Sequence, residues 1–374
     1  MAVYEVDHEV VEARGVGVDP GKLEVLRQLV RLTVESGPLP SVQFAVARGG
    51  RLAAFETYGG PADQRYILQS VGRSIVAGVI WKLLDDNLVR LDETVAGIIP
   101  EFAPNAKESV TVEQVLTHTA GFPFAPLGYP RMLDRAERLA AFGRWRLDYP
   151  PGTRLQFHLT AAAWLIAEIV QRRTGSTFAE YLGQQITRPL GLSSIELGVT
   201  PERAAAAVAP MVAVAADGDA KVDPWGPWYL ADPRILAAGE PSHSMVATAA
   251  DVALFFQALR HSGLWSARAV AEGARARVTE IPHGEAIYGG STRRTSMGLF
   301  VTVAGPDSGS GLPGTGSPAL FGNSGAAYQI GFLDPETDLS FALLCNGYPP
   351  AGYDASRRGT AMMTNIVNLA ADLV

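Results

Sequence analysis

Ser70 and Arg73 are the first residues along the chain that could do chemistry together. They lie in Gln69-Ser70-Val71-Gly72-Arg73-Ser74, at the mouth of a segment with helical spacing. Ile75, Val79 and Leu83 recur four apart, and Val76, Ile80 and Leu84 form a second row. A serine in this place can cap the helix, its hydroxyl accepting from a free backbone N–H. It can equally be a nucleophile at the positive end of a helix. Residues three apart share a helix face, so Arg73 falls beside Ser70. Arg73 is then either half of a structural ion pair or a fixed cation whose planar fork suits a carboxylate or an enolate-like oxygen. It is not a base, because a guanidinium stays protonated at any accessible pH.

A serine hydroxyl is a weak nucleophile until a base takes its proton, and two histidines come into question, His158 and His243. His158 has apolar Leu159 and Ala161 beside it and reads first as a structural residue, second as a base. His243, in Glu240-Pro241-Ser242-His243-Ser244, is a candidate to line a pocket and the other candidate base. His118, in Thr117-His118-Thr119-Ala120-Gly121, reads as structural. The histidines are scattered, with no H-E-x-x-H or C-x-x-C, so neither a metal nor a cofactor is expected. No G-x-S-x-G elbow is present, which argues against an α/β-hydrolase.

The elements that must hold these residues can be taken in order. Residues 1–19 are mixed and read as a loose arm. Pro20 to Ser36 is a helix, with Leu23, Leu26, Val30 and Val34 on one face and Gly37-Pro38 after it. Val42–Ala47 and Leu52–Thr57 read as two strands around a Gly49-Gly50 turn. From Ser70 to about Gly239 the pattern is mostly helical. Thr111-Val112-Glu113-Gln114 has capping-box form. Further helices are expected over 131–145, over 160–173 with a stop at Gly175, and over 177–186 ended by Pro189. Two loops carry aromatics and offer Tyr129 and Trp228 as substrate contacts: 121–130, and 217–234 with Trp225 and Tyr229, a lid or simply surface packing. Thr248 to His261 is a helix with Val252, Phe255, Phe256 and Leu259 inward. Gly309 to Gly314 spells G-x-G-x-x-G, but no strand-turn-helix surrounds it and Pro313 argues for a coil. Residues 328–334 and 339–346 look like paired strands, and 361–374 like a closing helix. Strands near both ends with a helical middle suggest one sheet assembled from both termini.

Several stretches together resemble the serine β-lactamase-type family: class C β-lactamases, penicillin-binding DD-peptidases and related esterases, the actinobacterial esterases and lipases above all. The resemblance runs from about Val18 to near the C-terminus. It rests on Ser70-Val71-Gly72-Arg73-Ser74, Leu91-Asp92-Glu93, the run Val110 to Phe122, Pro151-Gly152-Thr153, Pro189-Leu190-Gly191-Leu192 and Phe321-Gly322-Asn323-Ser324-Gly325. It implies an α/β (α+β) chain of β-lactamase/transpeptidase-like fold, an antiparallel sheet flanked by helices. Residues 1–68 and 240–374 would form that α/β domain, 69–239 an inserted helical domain, and the active-site cleft would lie between them. The departures are as informative as the match. The family's Ser-x-x-Lys is Ser-x-x-Arg here; the tyrosine that opens its second motif is Phe157; its Lys/His-Thr/Ser/x-Gly is Asn323-Ser324-Gly325. The resemblance also implies an oxyanion hole from the N–H groups of Ser70 and Ala326, close to Gly325.

Composition sets the remaining bounds. The 374 residues are 47% hydrophobic and 18% charged, with a formal net charge of −7. That is ordinary globular usage and argues for neither nucleic acid nor a membrane surface. The single cysteine, Cys345, sits in an apolar run and cannot form an internal disulfide. No secretory signal is visible at Met1 to Asp7, and no apolar stretch is long enough to span a bilayer, so a cytoplasmic location is expected. The replacements Lys to Arg, Tyr to Phe and His to Asn each keep roughly the same volume. The leading expectation is therefore a repurposed enzyme that keeps a small-molecule pocket. It would use Ser70, Arg73, Asn323 and the backbone N–H pair for non-hydrolytic chemistry on a carbonyl or ester metabolite: cyclisation, isomerisation, elimination or acyl transfer. The alternatives are a Ser70-dependent carboxylesterase with His158 or His243 as base, and a pseudoenzyme that binds a metabolite or a protein.

Overall fold

The computed structural model describes residues 5–126, 128–213, 232–278, 296–305, 311–325, 328–348 and 357–374. The strands within them are β1 (Asp7–Val10), β2 (Val42–Arg48), β3 (Arg51–Tyr58), β4 (Tyr66–Ile67), β5 (Val212–Ala213), β6 (Val246–Ala247), β7 (Ser296–Met297), β8 (Thr302–Val303), β9 (Phe321–Ser324), β10 (Ile330–Asp334), β11 (Leu339–Cys345) and β12 (Gly347–Tyr348). Eight of them form one sheet in the order β1-β3-β2-β11-β10-β9-β8-β7, and β4–β6 and β5–β12 are separate two-stranded pairs. Every neighbour in the large sheet is antiparallel except the edge pair β1–β3. The residues 1–19 are thus not a loose arm throughout. β1 adds to the sheet edge, and His8 Nε2 lies 2.7 Å from an Asp251 carboxylate oxygen.

Local sequence explains the long elements. The helix Pro20–Glu35 begins where Asp19 accepts from the N–H groups of Gly21 (2.7 Å) and Lys22 (3.1 Å), with Pro20 in its first turn. β2 and β3 join through Gly49 and Gly50 at φ 62° and 79°, the double left-handed geometry of a tight hairpin. β2 is buried on both faces, its Gln43 satisfied by the Ala62 and Gln64 carbonyls and the Ala249 N–H. Val42, Phe44 and Val46 pack with Leu23, Leu26 and Val30 and with Ile366 and Ala370 of the C-terminal helix Arg357–Ala371. Ala45 and Ala47 face the helix Ala249–His261, whose Val252, Phe255 and Phe256 are buried. A strand covered on both sides reads as a continuous apolar run rather than an alternating one.

Between β4 and β6 the chain is mainly helical, including Gly72–Asp85, Val112–Leu116, Arg135–Arg144 and Leu159–Thr174. The capping box at Thr111 and Gln114 is formed, and Gly175 ends its helix at φ 77°. One expected stop is displaced. After Phe178–Tyr181 the chain passes through a π-helical turn, Leu182–Thr187, continues helically through Pro189 and ends at Gly191, φ 72°. The wider π turn leaves room for a proline ring that would strike an α-helical carbonyl four residues back. The aromatic loop expected over 217–234 falls almost wholly outside the described residues, as do Gly309 and Ser310 of the G-x-G-x-x-G run.

Candidate active site

The helix that carries Ser70 does not start on it. A 3-10 turn, Gln69–Val71, leads into Gly72–Asp85, and Val71 holds the N-cap position of the α-helix. Ser70 is therefore not the helix cap. It sits half-buried in the 3-10 turn just before that cap, where the Val71 N–H donates to the Leu68 carbonyl at 3.1 Å. The residue before it, Gln69, is held at φ 48°, a left-handed conformation uncommon for a side-chain-bearing residue. Such strain persists only where surrounding packing imposes it, and it clusters at functional sites. The packing here is visible. A Cβ added to Gly325 would meet Gln69 Cβ at 3.5 Å and the Leu68 carbonyl at 3.4 Å, so the end of β9 lies directly against the turn that holds Ser70.

Arg73 is only 2% exposed. Its guanidinium carbon stands 4.2 Å from the Phe157 ring centre and 5.6 Å from that of Phe300. The His118 ring lies 4.5 Å from Phe157 and 5.3 Å from Phe300. Arg73 is thus a buried cation against two aromatic faces. The two sequence departures thus meet in one contact. A ring without a hydroxyl at 157 offers its face to a planar guanidinium at 73, where a tyrosine could offer a hydrogen bond to a lysine amine. Asn323, in β9, donates from Nδ2 to Ser74 Oγ at 3.0 Å and accepts from Thr302 Oγ1 at 3.3 Å. It ties the sheet to the helix beside Arg73, and its amide hydrogen is engaged there.

His158 is locked. Its Nδ1–H donates to the Gln156 carbonyl at 2.6 Å and its Nε2 accepts from the Phe122 N–H at 3.0 Å. Burial pushes its pKa down to about 3. Both ring nitrogens are committed, so His158 cannot serve as a base for Ser70 and the structural alternative holds. His118 accepts the His158 N–H on Nδ1 at 3.2 Å. Its neutral ring therefore carries hydrogen on Nε2 and has no second lone pair. Burial first, then the charge of Arg73, hold it well below the usual histidine range.

His243 stands in a different environment. After the helix Pro233–Ala238 the chain turns at Gly239, φ 69°, and folds residues 240–244 into one buried turn. Glu240, 0% exposed, accepts at its carboxylate from the Ser242 N–H (3.1 Å), the His243 N–H (3.0 Å) and Ser242 Oγ (2.8 Å). His243 Nδ1 lies 2.6 Å from Ser242 Oγ and 3.1 Å from Glu240 Oε2. Burial raises Glu240 to about 7 against the pull of its donors and of Arg73. Burial, then Arg73, hold His243 well below 6.5. The charge of Arg73 thus acts on His118, Glu240 and His243 alike. Carboxylates and imidazoles perturbed by burial and a shared cation are what catalytic sites need, though structural networks produce them too.

Tyr129 is half-buried, packs on the main core and lies close enough to Arg138 to affect its charge. Gly325 donates its N–H to the Gln329 carbonyl at 2.8 Å. Ala326 and Trp228 lie outside the described residues, and with Ala326 goes half of the expected oxyanion hole. Glu240, Ser242, Ser74 and Phe300 were not singled out from the sequence. The one available signal was an acid three residues before a histidine in a segment with no other charge. Among the described residues no group of three His, Cys, Asp or Glu could hold a metal ion, and no helix is long and apolar enough to cross a membrane.

The strained turn that presents Ser70 is backed by a sheet strand and stands beside a buried cation. The Beta-lactamase family model matches residues 26–362, and the chain belongs to that family. It is 25% identical over 316 residues to the esterase/β-lactamase LipL of Mycobacterium tuberculosis (strain ATCC 25618 / H37Rv), spanning 76% of this chain and 70% of that protein. A penicillin-binding protein homologue from Caulobacter crescentus superposes with a TM-score of 0.79 at 23% identity, over 96% of this chain and 99% of the other. A family VIII carboxylesterase does so with a TM-score of 0.78 at 19% identity, over 95% and 99%. The fold is the β-lactamase/transpeptidase-like fold.

Proposed function

We propose that the protein performs acyl-group chemistry at Ser70 on a small ester or related carbonyl compound, ending in hydrolysis or in transfer of the acyl group to another acceptor. The observation that carries this reading is the placement of Ser70. It stands in the 3-10 turn that leads into a helix, next to a strained Gln69, while Val71 occupies the cap position. Membership of a family that includes a protein named esterase/β-lactamase supports it. The lysine and tyrosine that serve the family are replaced by Arg73 and Phe157, so any proton taken from Ser70 goes elsewhere. Exposure to a fluorophosphonate and to a short p-nitrophenyl ester, followed by intact mass, tests the reading. One adduct on the wild type and none on Ser70→Ala is the expected result. A wild type that gains no adduct and releases no nitrophenol sinks it.

A second reading has its own observation. Arg73 is a permanent buried cation at 4.2 Å from Phe157, suited to stabilising a developing oxyanion or enolate rather than to moving protons. It favours non-hydrolytic work on a carbonyl metabolite, such as cyclisation, isomerisation or elimination, with no covalent intermediate on Ser70. Turnover of such a substrate by Ser70→Ala at a substantial fraction of the wild-type rate would distinguish it from the first.

A further inference from the structure

We infer that Gln329 is a positioning residue for Ser70: its buried side-chain amide ties the turn that presents the serine to the large sheet. The inference rests on the reading that Ser70 is acylated.

Gln329 directly precedes β10 and is 2% exposed. Its Nε2 donates to the Ile67 carbonyl of β4 at 3.0 Å and to the carbonyl of Cys345, the last residue of β11, at 2.8 Å. An amide nitrogen carries two hydrogens, so both bonds form at once. One side chain therefore joins the end of a sheet strand to the strand that runs into the serine. Only Leu68 separates Ile67 from the 3-10 turn Gln69–Val71, and the Val71 N–H closes that turn onto the Leu68 carbonyl at 3.1 Å.

Gln329 meets the same turn a second time, through Gly325. The Gln329 carbonyl accepts from the Gly325 N–H at 2.8 Å. A Cβ added at Gly325 would meet Gln329 Cβ at 3.1 Å and Gln69 Cβ at 3.5 Å, so Gly325 lies between the two glutamines with no side chain to hold them apart. The φ of 48° at Gln69 persists because surrounding packing imposes it, and Gln329 is part of that packing.

Gln257, on the helix Ala249–His261, shows a buried glutamine with a purely structural task. It donates to the Ala47 carbonyl (3.3 Å), the Asp338 carbonyl (3.1 Å) and Ser340 Oγ (3.0 Å), and its Oε1 accepts from the Gly50 N–H at 2.8 Å. Both ends of its amide are satisfied. It grips β11 at Ser340, about 17 Å by strand rise from Cys345. Gln329 Oε1, also buried, accepts from no donor among the described residues. A buried acceptor without a donor costs stability, so what Gln329 contributes lies in the two carbonyls it holds.

In acylation the bond from Ser70 Oγ to the ester carbonyl carbon forms, the C–O bond to the leaving alcohol breaks, and the serine hydrogen ends on that alcohol. The attacking oxygen must stand at near-bonding distance, and a displacement of about 1 Å costs on the order of 10²-fold in rate. β4 is held as well by its pairing with β6 and by the Tyr66 hydroxyl, which donates to Ser41 Oγ at 3.0 Å. Loss of the Gln329 amide therefore loosens the turn without detaching it.

The test is the pre-steady-state acylation rate with p-nitrophenyl acetate over a range of substrate concentrations, with urea unfolding alongside, for wild type, Ser70→Ala, Gln329→Met and Gln257→Met. Methionine keeps the length of the side chain and removes its donors. Gln329→Met is expected to acylate about 10²-fold more slowly with little change in KM. Gln257→Met is expected to unfold at lower urea yet acylate at the wild-type rate. Gln329→Met acylating at the wild-type rate, a change confined to KM, or an equal slowing of the two variants overturns the inference and leaves the Ser70 reading standing. A wild type that is not acylated overturns both. Should Gln329→Met fail to fold, Gln329→Asn decides, since it keeps the amide but withdraws it by one methylene from both carbonyls: a wild-type rate refutes the tie.

Discussion

His158 offers a quantitative test of how the site is held. The neutral ring donates through Nδ1 and accepts through Nε2, so protonation would set a second N–H against the Phe122 N–H. The pKa falls from 6.5 to about 3, chiefly through burial. A group depressed in this way binds its proton in the unfolded chain first. Its contribution to stability is complete above pH 6.5 and is lost progressively as pH falls towards 3. The whole shift corresponds to roughly 5 kcal/mol, and the part lost between about pH 7.5 and pH 5 to about 2 kcal/mol. His158→Gln can still accept from Phe122 but drops the bond to Gln156, at a cost of about 1–3 kcal/mol at the higher pH. The informative quantity is the pH dependence, not that cost. His118 also destabilises in acid, whereas Glu240, raised to about 7, does the opposite as pH falls from 7 to 4.5, the folded state taking up the proton first. Both groups persist in the variant, so they cancel in the comparison with wild type. Urea unfolding followed by tryptophan fluorescence at the two pH values should show the variant losing about 2 kcal/mol less than wild type. Equal losses in the two proteins would refute the assignment of His158 as a buried, neutral-locked histidine.

Gly322→Ala should break the sheet beside the site. The new Cβ would stand 2.1 Å from the Gly331 carbonyl oxygen and 2.7 Å from Phe332 Cα, backbone atoms that cannot yield, so a loss of more than about 3 kcal/mol is expected in urea melts; a loss under about 1 kcal/mol contradicts the β9–β10 register. Arg73→Met keeps much of the side chain's length and removes its charge. It should raise the imidazole ionisation of both His118 and His243, read by NMR titration of the ring protons, and unchanged values would show that Arg73 does not act on them.

Much of this architecture was legible because it is written locally. Asp19 with Pro20, Thr111 with Gln114, Gly175, and the Gly49-Gly50 pair mark helix ends and a hairpin by chemistry that acts within four residues. The four-residue apolar rows after Ser70 likewise put Arg73 on its face. What was not legible depends on distant partners. Nothing in Asp7–Val10 reveals that it will pair with β3, nor does Pro189 announce the π turn that accommodates it. In the site, Phe157 and Arg73 meet only through tertiary packing. The role of Ser70 as something other than a cap depended on where the α-helix begins, a boundary that periodicity places only to within a residue or two.

The three departures from the family pattern become intelligible when taken as one change. A lysine at position 73 could shuttle a proton; an arginine cannot, but it can remain charged while buried, provided something flat lies beneath it and something negative lies near. Phe157 supplies the flat surface at 4.2 Å, and Glu240, whose charged form Arg73 favours, supplies the negative partner. Glu240 without Arg73 would be driven further towards its neutral form, since the arginine charge is among the forces that lower it. Arg73, Phe157 and Glu240 therefore depend on one another, and Ser242 and His243 are held by the last of them. The site gathers its perturbed titratable groups at His118 and in the turn at 240–244. Its perturbed groups are sustained by a cation that takes no proton itself.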